Sequence, residues 1–379
     1  MNWLEVHVFG SNVQGEGIVI KLPDGGFGVV DACFNGDIAD PEGNPIVQML
    51  RGSNVNNLSF VCLTHPHADH FYGLSHIIHE FNPGEFWIPA VMTPESLRQI
   101  LVKEQIEAER IEDELNRQPK AKSKRRRYAE ELSRVFQLAR GIPSRRGNLR
   151  TELYPSPSQK SPDIRISALS PCAEEVSAYE VTLRHCFDEN NLPRAKMPAL
   201  KHNRISLGLL LECRSFSVVL SGDMEKNNWN AAVREFGAER LSAKLVKISH
   251  HGSKTGMTDE SWDAFSSREK PTAVFTNFSR SSLPEADVIN RIGQHASQIH
   301  ATHRSFLDKW TEKPAALRGF FQSVPGDHQL KRLKRGFNDV SRIADSEYGV
   351  CSYYFDESGN CDIEAIGPAC EVPSGRAAI

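Results

Sequence analysis

Residues 58–74, LSFVCLTHPHADHFYGL, constrain this chain more than any other stretch. A short run of apolar and small residues ends at Thr64 and reads as a buried strand. His65, His67, Asp69 and His70 follow at once, where a strand end can aim several side chains at one point. Three imidazoles and a carboxylate within six residues are the donors of a zinc, manganese or iron site, and no Cys pair lies nearby to close a structural zinc. A polar loop that merely happened to hold three histidines would have no reason for this spacing. After His70, Phe71, Leu74, Ile77, Ile78 and Phe81 recur at helical spacing, so an amphipathic helix should cover the strand, with His76 and His79 exposed on it.

The pattern resumes far downstream. Residues 202–223, HNRISLGLLLECRSFSVVLSGD, give two apolar strands, 206–213 and 216–220, joined by a tight turn and ended by Gly222 and Asp223. An Asp directly beyond a buried strand, after a Gly that lets the backbone turn, is placed to reach a metal. A helix over 226–236 and a strand over 244–249 then deliver His250 and His251 into a loop. Only alternate side chains of an extended segment face the same way, so these two should split their roles, one on the metal and one toward the substrate. Periodicity at a strand end leaves the assignment open; the working choice is His251 for the metal and His250 for catalysis.

The first cluster resembles the H-x-H-x-D-H signature of the metallo-β-lactamase superfamily of hydrolases. The order HPHADH, HNRIS, SGD and KISHHGS is most similar to the hydrolase domain of the DNA-uptake channel family called ComEC and its soluble relatives, phosphorylcholine esterases included. The resemblance implies an α/β fold, the αββα sandwich, over a single domain of residues 1–379. It also implies a ligand set for one or two divalent ions, zinc or manganese. His65 and His67 would hold one ion, Asp69 and His70 the other, with Asp223 bridging and one of His250 and His251 completing the second site. Asp31, at the end of an early strand, would orient a ligand histidine from behind. Asn203 and Ser206 would be hydrogen-bonding groups at the pocket wall. Two departures stand out. HNRIS occupies the place where most of these enzymes carry a further metal-binding His, with His202 as an alternative ligand, and Leu283 stands where the branch has a His before Pro.

Between the motifs the composition changes. Residues 94–150 are rich in Glu, Lys, Arg, Gln, Leu and Ala, which predicts a helical insertion built as a hairpin of two helices broken near 118–123. It carries Lys124, Arg125, Arg126 and Arg127, with Arg145 and Arg146 beyond, a basic strip that is either plain solvated surface or a landing place for phosphate backbone. A second insertion, 304–345, contains KRLKRGFNDVSR, a candidate surface for a protein partner. The net charge of −3 over 379 residues excludes nothing by itself. Eight scattered cysteines without a C-x-x-C pair fit a reducing, cytoplasmic setting, and no apolar run approaches the roughly 20 residues that span a bilayer.

These features predict a hydrolase that uses a metal-activated water, acting as a phosphodiesterase or nuclease on nucleic acid or nucleotides. Asp69 and His250 are the candidates for moving protons, and Asn203, Ser206 and residues Lys124, Arg125, Arg126 and Arg127 for holding substrate. A carbonyl-ester, lactone or thioester hydrolase on the same site is the alternative. A non-catalytic partner-binding protein is the third reading, and an intact ligand set counts against it.

Overall fold

The computed structural model describes residues 3–13, 15–32, 34, 40–114, 119–155, 163–305 and 348–372. In chain order, six strands come first: β1 (Leu4–Ser11), β2 (Glu16–Lys21), β3 (Phe27–Ala32), β4 (Phe60–Cys62), β5 (Phe86–Pro89) and β6 (Ser144–Gly147). There follow β7 (Glu152–Tyr154), β8 (Ile164–Ala168), β9 (Leu209–Cys213), β10 (Ser217–Leu220), β11 (Leu245–Lys247), β12 (Thr272–Phe275) and β13 (Gln298–Ala301). The C-terminal strands are β14 (Tyr348–Phe355), β15 (Cys361–Ile366) and β16 (Cys370–Val372). One sheet runs β15-β14-β1-β2-β3-β4-β5-β6 and the other β16-β13-β12-β11-β10-β9-β8-β7.

The two-residue alternation of these strands sorts their side chains into separate apolar layers. Val6, Val8, Ile18, Ile20, Phe60 and Cys62 face Leu209, Leu211, Val218 and Leu245 between the sheets. Their neighbours Val19, Val29 and Val61 face outward, under α1 (Pro45–Gly52), α3 (Leu74–Phe81) and two long helices, α4 (Pro94–Glu114) and α5 (Pro119–Leu138). On the second sheet Leu210, Val219, Val246 and Ala273 face outward, under α7 (Lys226–Leu241), α8 (Asp259–Phe265) and α9 (Ala286–His295). The architecture is therefore the αββα sandwich. A four-residue helix, α2 (Ala68–Phe71), and α6 (Ala173–Arg184) complete the set named here.

The strands at the centre of each sheet decide where the chemistry sits. β3, β4 and β5 run parallel in one sheet, and β10, β11 and β12 run parallel in the other. Their C-terminal ends meet at one edge of the sandwich, the usual place for a site in such sheets.

The helices over residues 94–138 are not a detached appendage. Helix α5 packs on α2 and α3, and the Glu131 carboxylate accepts from the backbone N–H groups of Gly73 (3.3 Å) and Ser75 (3.4 Å). Those are free donors at the start of α3, where no side chain of that helix caps them. The same cover explains a departure from the helical-wheel expectation: His76 is buried, edge-on to Phe34 at 5.4 Å, whereas His79 is exposed as expected. The insertion expected at 304–345, with KRLKRGFNDVSR, lies outside the described residues apart from Arg304 and Ser305. Among the described residues no helix is long and apolar enough to cross a membrane.

Candidate metal centre

The C-terminal end of β3 and the loops leaving β4, β10 and β11 bring Asp31, the HPHADH turn, Asp223 and the His250–His251 pair together. Gly222 has φ +49°, and a Cβ there would meet the Ser206 hydroxyl at 2.7 Å, so only glycine lets the chain turn Asp223 inward. Asp31, His250 and His251 also take left-handed backbone angles, φ +57°, +51° and +52°. Non-glycine residues hold such angles only where the surroundings over-determine them, and strain of this kind clusters at working sites.

Asp223 divides the donors into two groups. Its Oδ2 lies 3.8 Å from His65 Nε2, and the ring nitrogens of His65 and His67 are 2.8 Å apart. Its Oδ1 lies 3.4 Å from His70 Nε2 and 3.9 Å from His251 Nε2. Asp69 Oδ2 stands 3.1 Å from His251 Nε2 and 3.6 Å from His70 Nε2. His65, His67 and Asp223 form one set of donor atoms close enough to share an ion, and His70, Asp223 and His251 belong to another. His70 Nε2 and Asp223 Oδ1 are buried and make no hydrogen bond among the described residues. Orphaned buried donors are costly unless something satisfies them, and a divalent cation between them does so.

The electrostatics point the same way. Burial by itself would lower the His70 imidazole, but Asp223, Asp31 and Asp69 outweigh it and push its pKa well above the usual histidine range. Burial would raise Asp69 and Asp223, yet His70 and His251 hold both carboxyls below their usual range. His65 and His67 go the other way, their pKa lowered by burial, with neighbouring imidazoles adding to it, which keeps them neutral and able to donate a lone pair. A cluster that recruits a proton to His70 is one that wants positive charge.

Two of the clustered histidines, His70 and His251, are held from behind. Asp31 accepts from Thr64 N–H (2.7 Å) and Thr64 Oγ1 (2.6 Å) and takes His70 Nδ1 at 2.7 Å, which leaves Nε2 for the centre. His251 Nδ1 sits 2.7 Å from Thr276 Oγ1, just past β12. His250 is turned the other way: it is a quarter exposed, lies 4.0 Å from Asp223 at Nε2, and receives the Asn203 amide N–H at 3.1 Å. The structure thus brings His251 into the donor cluster and leaves His250 facing the pocket.

Other expected residues fall elsewhere. Ser206, expected at the pocket wall, is fully buried and its hydroxyl accepts the Asp223 N–H at 2.8 Å; it positions Asp223 and cannot meet a substrate. His202 packs edge-on to His67, ring centres 5.2 Å apart, with Nδ1 2.9 Å from Tyr179 Oη, beside the first set of donors but outside it. The Arg127 guanidinium lies over the Tyr72 ring, 5.3 Å from its centre, while the side chains of Lys124, Arg125 and Arg126 lie outside the described set. Arg145 is engaged by Glu85 at 3.0 Å, so it is not free for phosphate.

Three further residues stand beside the site, and of these only Lys247, the first residue of KISHHGS, lies in a motif. Tyr128 of α5 donates its hydroxyl to the carbonyl of Pro66 and clamps the HPHADH turn. Glu16 and Lys247 form a fully buried ion pair behind Asp223. The one local hint was Lys247 itself, a charged residue inside an apolar strand, which must find a partner if buried. An open pocket of about 460 Å³ leads to the cluster, lined by His67, Asp69, Asp223, His250, Phe278 and Leu283 among others.

Residues 18–107 match the family model described as Metallo-beta-lactamase superfamily. That segment carries most of β2, all of β3 to β5 and the whole HPHADH turn, and the two-sheet fold is consistent with the metallo-β-lactamase αββα sandwich, with residues able to hold a metal. No curated protein matches the chain in sequence. Among solved structures, Zn(2+)-bound PqqB from Methylobacterium extorquens aligns at 12% identity with a TM-score of 0.39, covering 79% of this chain and 97% of that one. A likeness so distant says nothing about ligand or substrate here.

Proposed function

We propose that this protein is a two-ion hydrolase of the ComEC-like kind, cleaving phosphodiester bonds in nucleic acid or nucleotides with zinc or manganese. The observation that carries the reading is Asp223, whose two oxygens face two separate histidine groups, as a carboxylate bridging paired ions must. Ions held there, by His65 and His67 on one side and by His70 and His251 on the other, would supply Lewis acidity and an activated water.

The chain's own residues then divide the remaining work. His250, partly exposed and held by the Asn203 amide, faces the pocket with a ring able to take or give a proton. Asp69, at the pocket surface and hydrogen-bonded to His251, is the second group placed for proton transfer. Lys201 and Lys226 line a neighbouring recess that includes Glu225 and Thr255, both beside His250, and would draw a polyanion to that side, whereas Arg204 there is paired with Glu175 at 3.4 Å. Phe278 and Leu283, apolar residues at the pocket, favour the competing reading, a hydrolase of smaller carbonyl esters, lactones or thioesters.

A substrate panel separates the two. The purified chain loaded with Mn²⁺ or Zn²⁺ should cleave single- or double-stranded DNA, RNA or cyclic nucleotides. Neutralising Lys201 and Lys226 should raise KM and flatten the salt dependence. Turnover of lactones or thioesters alone, indifferent to those substitutions, would overturn the phosphodiesterase reading.

A further inference from the structure

Glu16 opens β2 in the middle of a Gly-rich turn, and nothing in the ligand set above gives it a task. It is fully buried, and an ionised carboxylate in that position is costly unless both of its oxygens are satisfied. Lys247, also fully buried, engages Oε2, and Thr276 donates its hydroxyl to the same oxygen at 3.2 Å. The other oxygen, Oε1, is buried and has no hydrogen-bond partner among the described residues. His70 Nε2 and Asp223 Oδ1 are orphaned in the same way. A Glu16 oxygen, a His70 nitrogen, an Asp223 oxygen and a His251 nitrogen all lie within 4.8 Å of one another.

We propose that Glu16 is a ligand of the second ion, alongside His70, His251 and Asp223, and that it makes this the oxygen-rich, manganese-preferring half of an unlike pair. The inference rests on the metal-binding reading above and extends it. Were Glu16 present only to neutralise Lys247, its second oxygen would be left bare in the protein interior. Lys247 instead fixes the carboxylate: its ammonium donates to the Gly222 carbonyl at 3.2 Å, which ties the pair to the backbone one residue before Asp223. Thr276 is shared between Glu16 and His251, so the carboxylate and that imidazole are set by one hydroxyl. With Glu16 included, the second ion has Glu16 and Asp223 against two imidazoles, while the first has His65, His67 and a single carboxylate. Carboxylate oxygen suits manganese and imidazole suits zinc, so the two positions should differ in preference.

The test is metal binding by the full chain, stripped of metal and titrated separately with Mn²⁺, followed by the electron paramagnetic resonance signal of the free ion, and with Zn²⁺, followed by calorimetry. Glu16→Gln should weaken Mn²⁺ binding by more than about tenfold and leave the zinc-preferring position unchanged. Because Glu16→Gln strands a buried ammonium, the double variant Glu16→Gln/Lys247→Met removes both charges together and decides the matter should the single variant not fold. Folded variants that hold Mn²⁺ as tightly as the wild type would overturn the proposal and reduce Glu16 to a counter-ion. A wild-type chain that binds neither ion would overturn the metal reading itself, a separate failure.

Discussion

The two sides of Asp223 are built differently. On the His70 and His251 side, each imidazole is fixed by a buried partner from another strand end: Asp31 from β3 behind His70, Thr276 from β12 behind His251. The buried Glu16–Lys247 pair backs the same side from β2 and β11. On the His65 and His67 side the donors come from one turn, and their support is lighter. His65 Nδ1 has the Thr64 hydroxyl at 3.1 Å, and His67 touches the rings of His65 and of His202, the latter held by Tyr179. Rigid framing sets a ligand's orientation and basicity, so the His70 side should bind its ion more tightly and exchange it more slowly.

Asp223 belongs to both sides, and its loss should have the largest effect. Asp223→Ala is expected to remove both ions at once, read by elemental analysis, and to lower turnover by more than about 100-fold. Retention of one ion at full affinity would break the idea of a shared carboxylate. Asp31→Asn is the sharper probe of the framed side. The amide can still accept the Thr64 N–H and tolerates the left-handed angle, but it no longer offers a carboxylate to His70 Nδ1. The second ion should weaken by about 10–100-fold with the first unchanged, measured by calorimetric titration. Tyr179→Phe probes the lighter side. Loss of one hydrogen bond to His202, about 1 kcal/mol, should loosen the first ion by a factor of a few and leave the second alone.

His300, on β13 and distant from both groups, should change neither ion. Burial lowers its pKa to about 4, and its Nδ1 lies 3.1 Å from Tyr353 Oη. The folded state therefore keeps it neutral at a pH where the unfolded chain, at about 6.5, already takes a proton. Stability is unaffected above about pH 6.5 and falls as pH drops from there toward 4, by up to about 3 kcal/mol. His300→Gln should flatten that part of the melting-temperature profile between pH 7 and 4.5, with metal affinity untouched.

The difference between the two sides also marks what a sequence can reveal. The HPHADH turn, Asp223 after its glycine, and the paired histidines are legible because each lies directly beyond a strand with a clear alternation. The sandwich is implied by the resemblance those motifs carry, and Val6, Val8, Ile18 and Ile20 lie in its inter-sheet layer. Asp31 apart, which the resemblance already places behind a histidine, the framing residues are illegible for the opposite reason. Glu16 sits in a stretch that reads as a turn, and Thr276 and Tyr179 are unremarkable in their own segments. Their partners lie 231, 25 and 23 positions away, brought near only by the packing of sheets and helices. The burial of His76 is illegible on the same ground, because a single helix shows which face is apolar but not that α5 will pack against it. Ser206 reads as a wall residue from its place in HNRIS, whereas its buried hydroxyl turns to the backbone of Asp223.

The most direct measurement is anomalous diffraction from crystals soaked separately in zinc and in manganese. The account predicts two peaks on either side of the Asp223 carboxylate, zinc strongest beside His65 and His67 and manganese strongest beside His70, His251 and Glu16. Imidazoles at 65, 67, 70 and 251 with no anomalous density between them under either soak would contradict it.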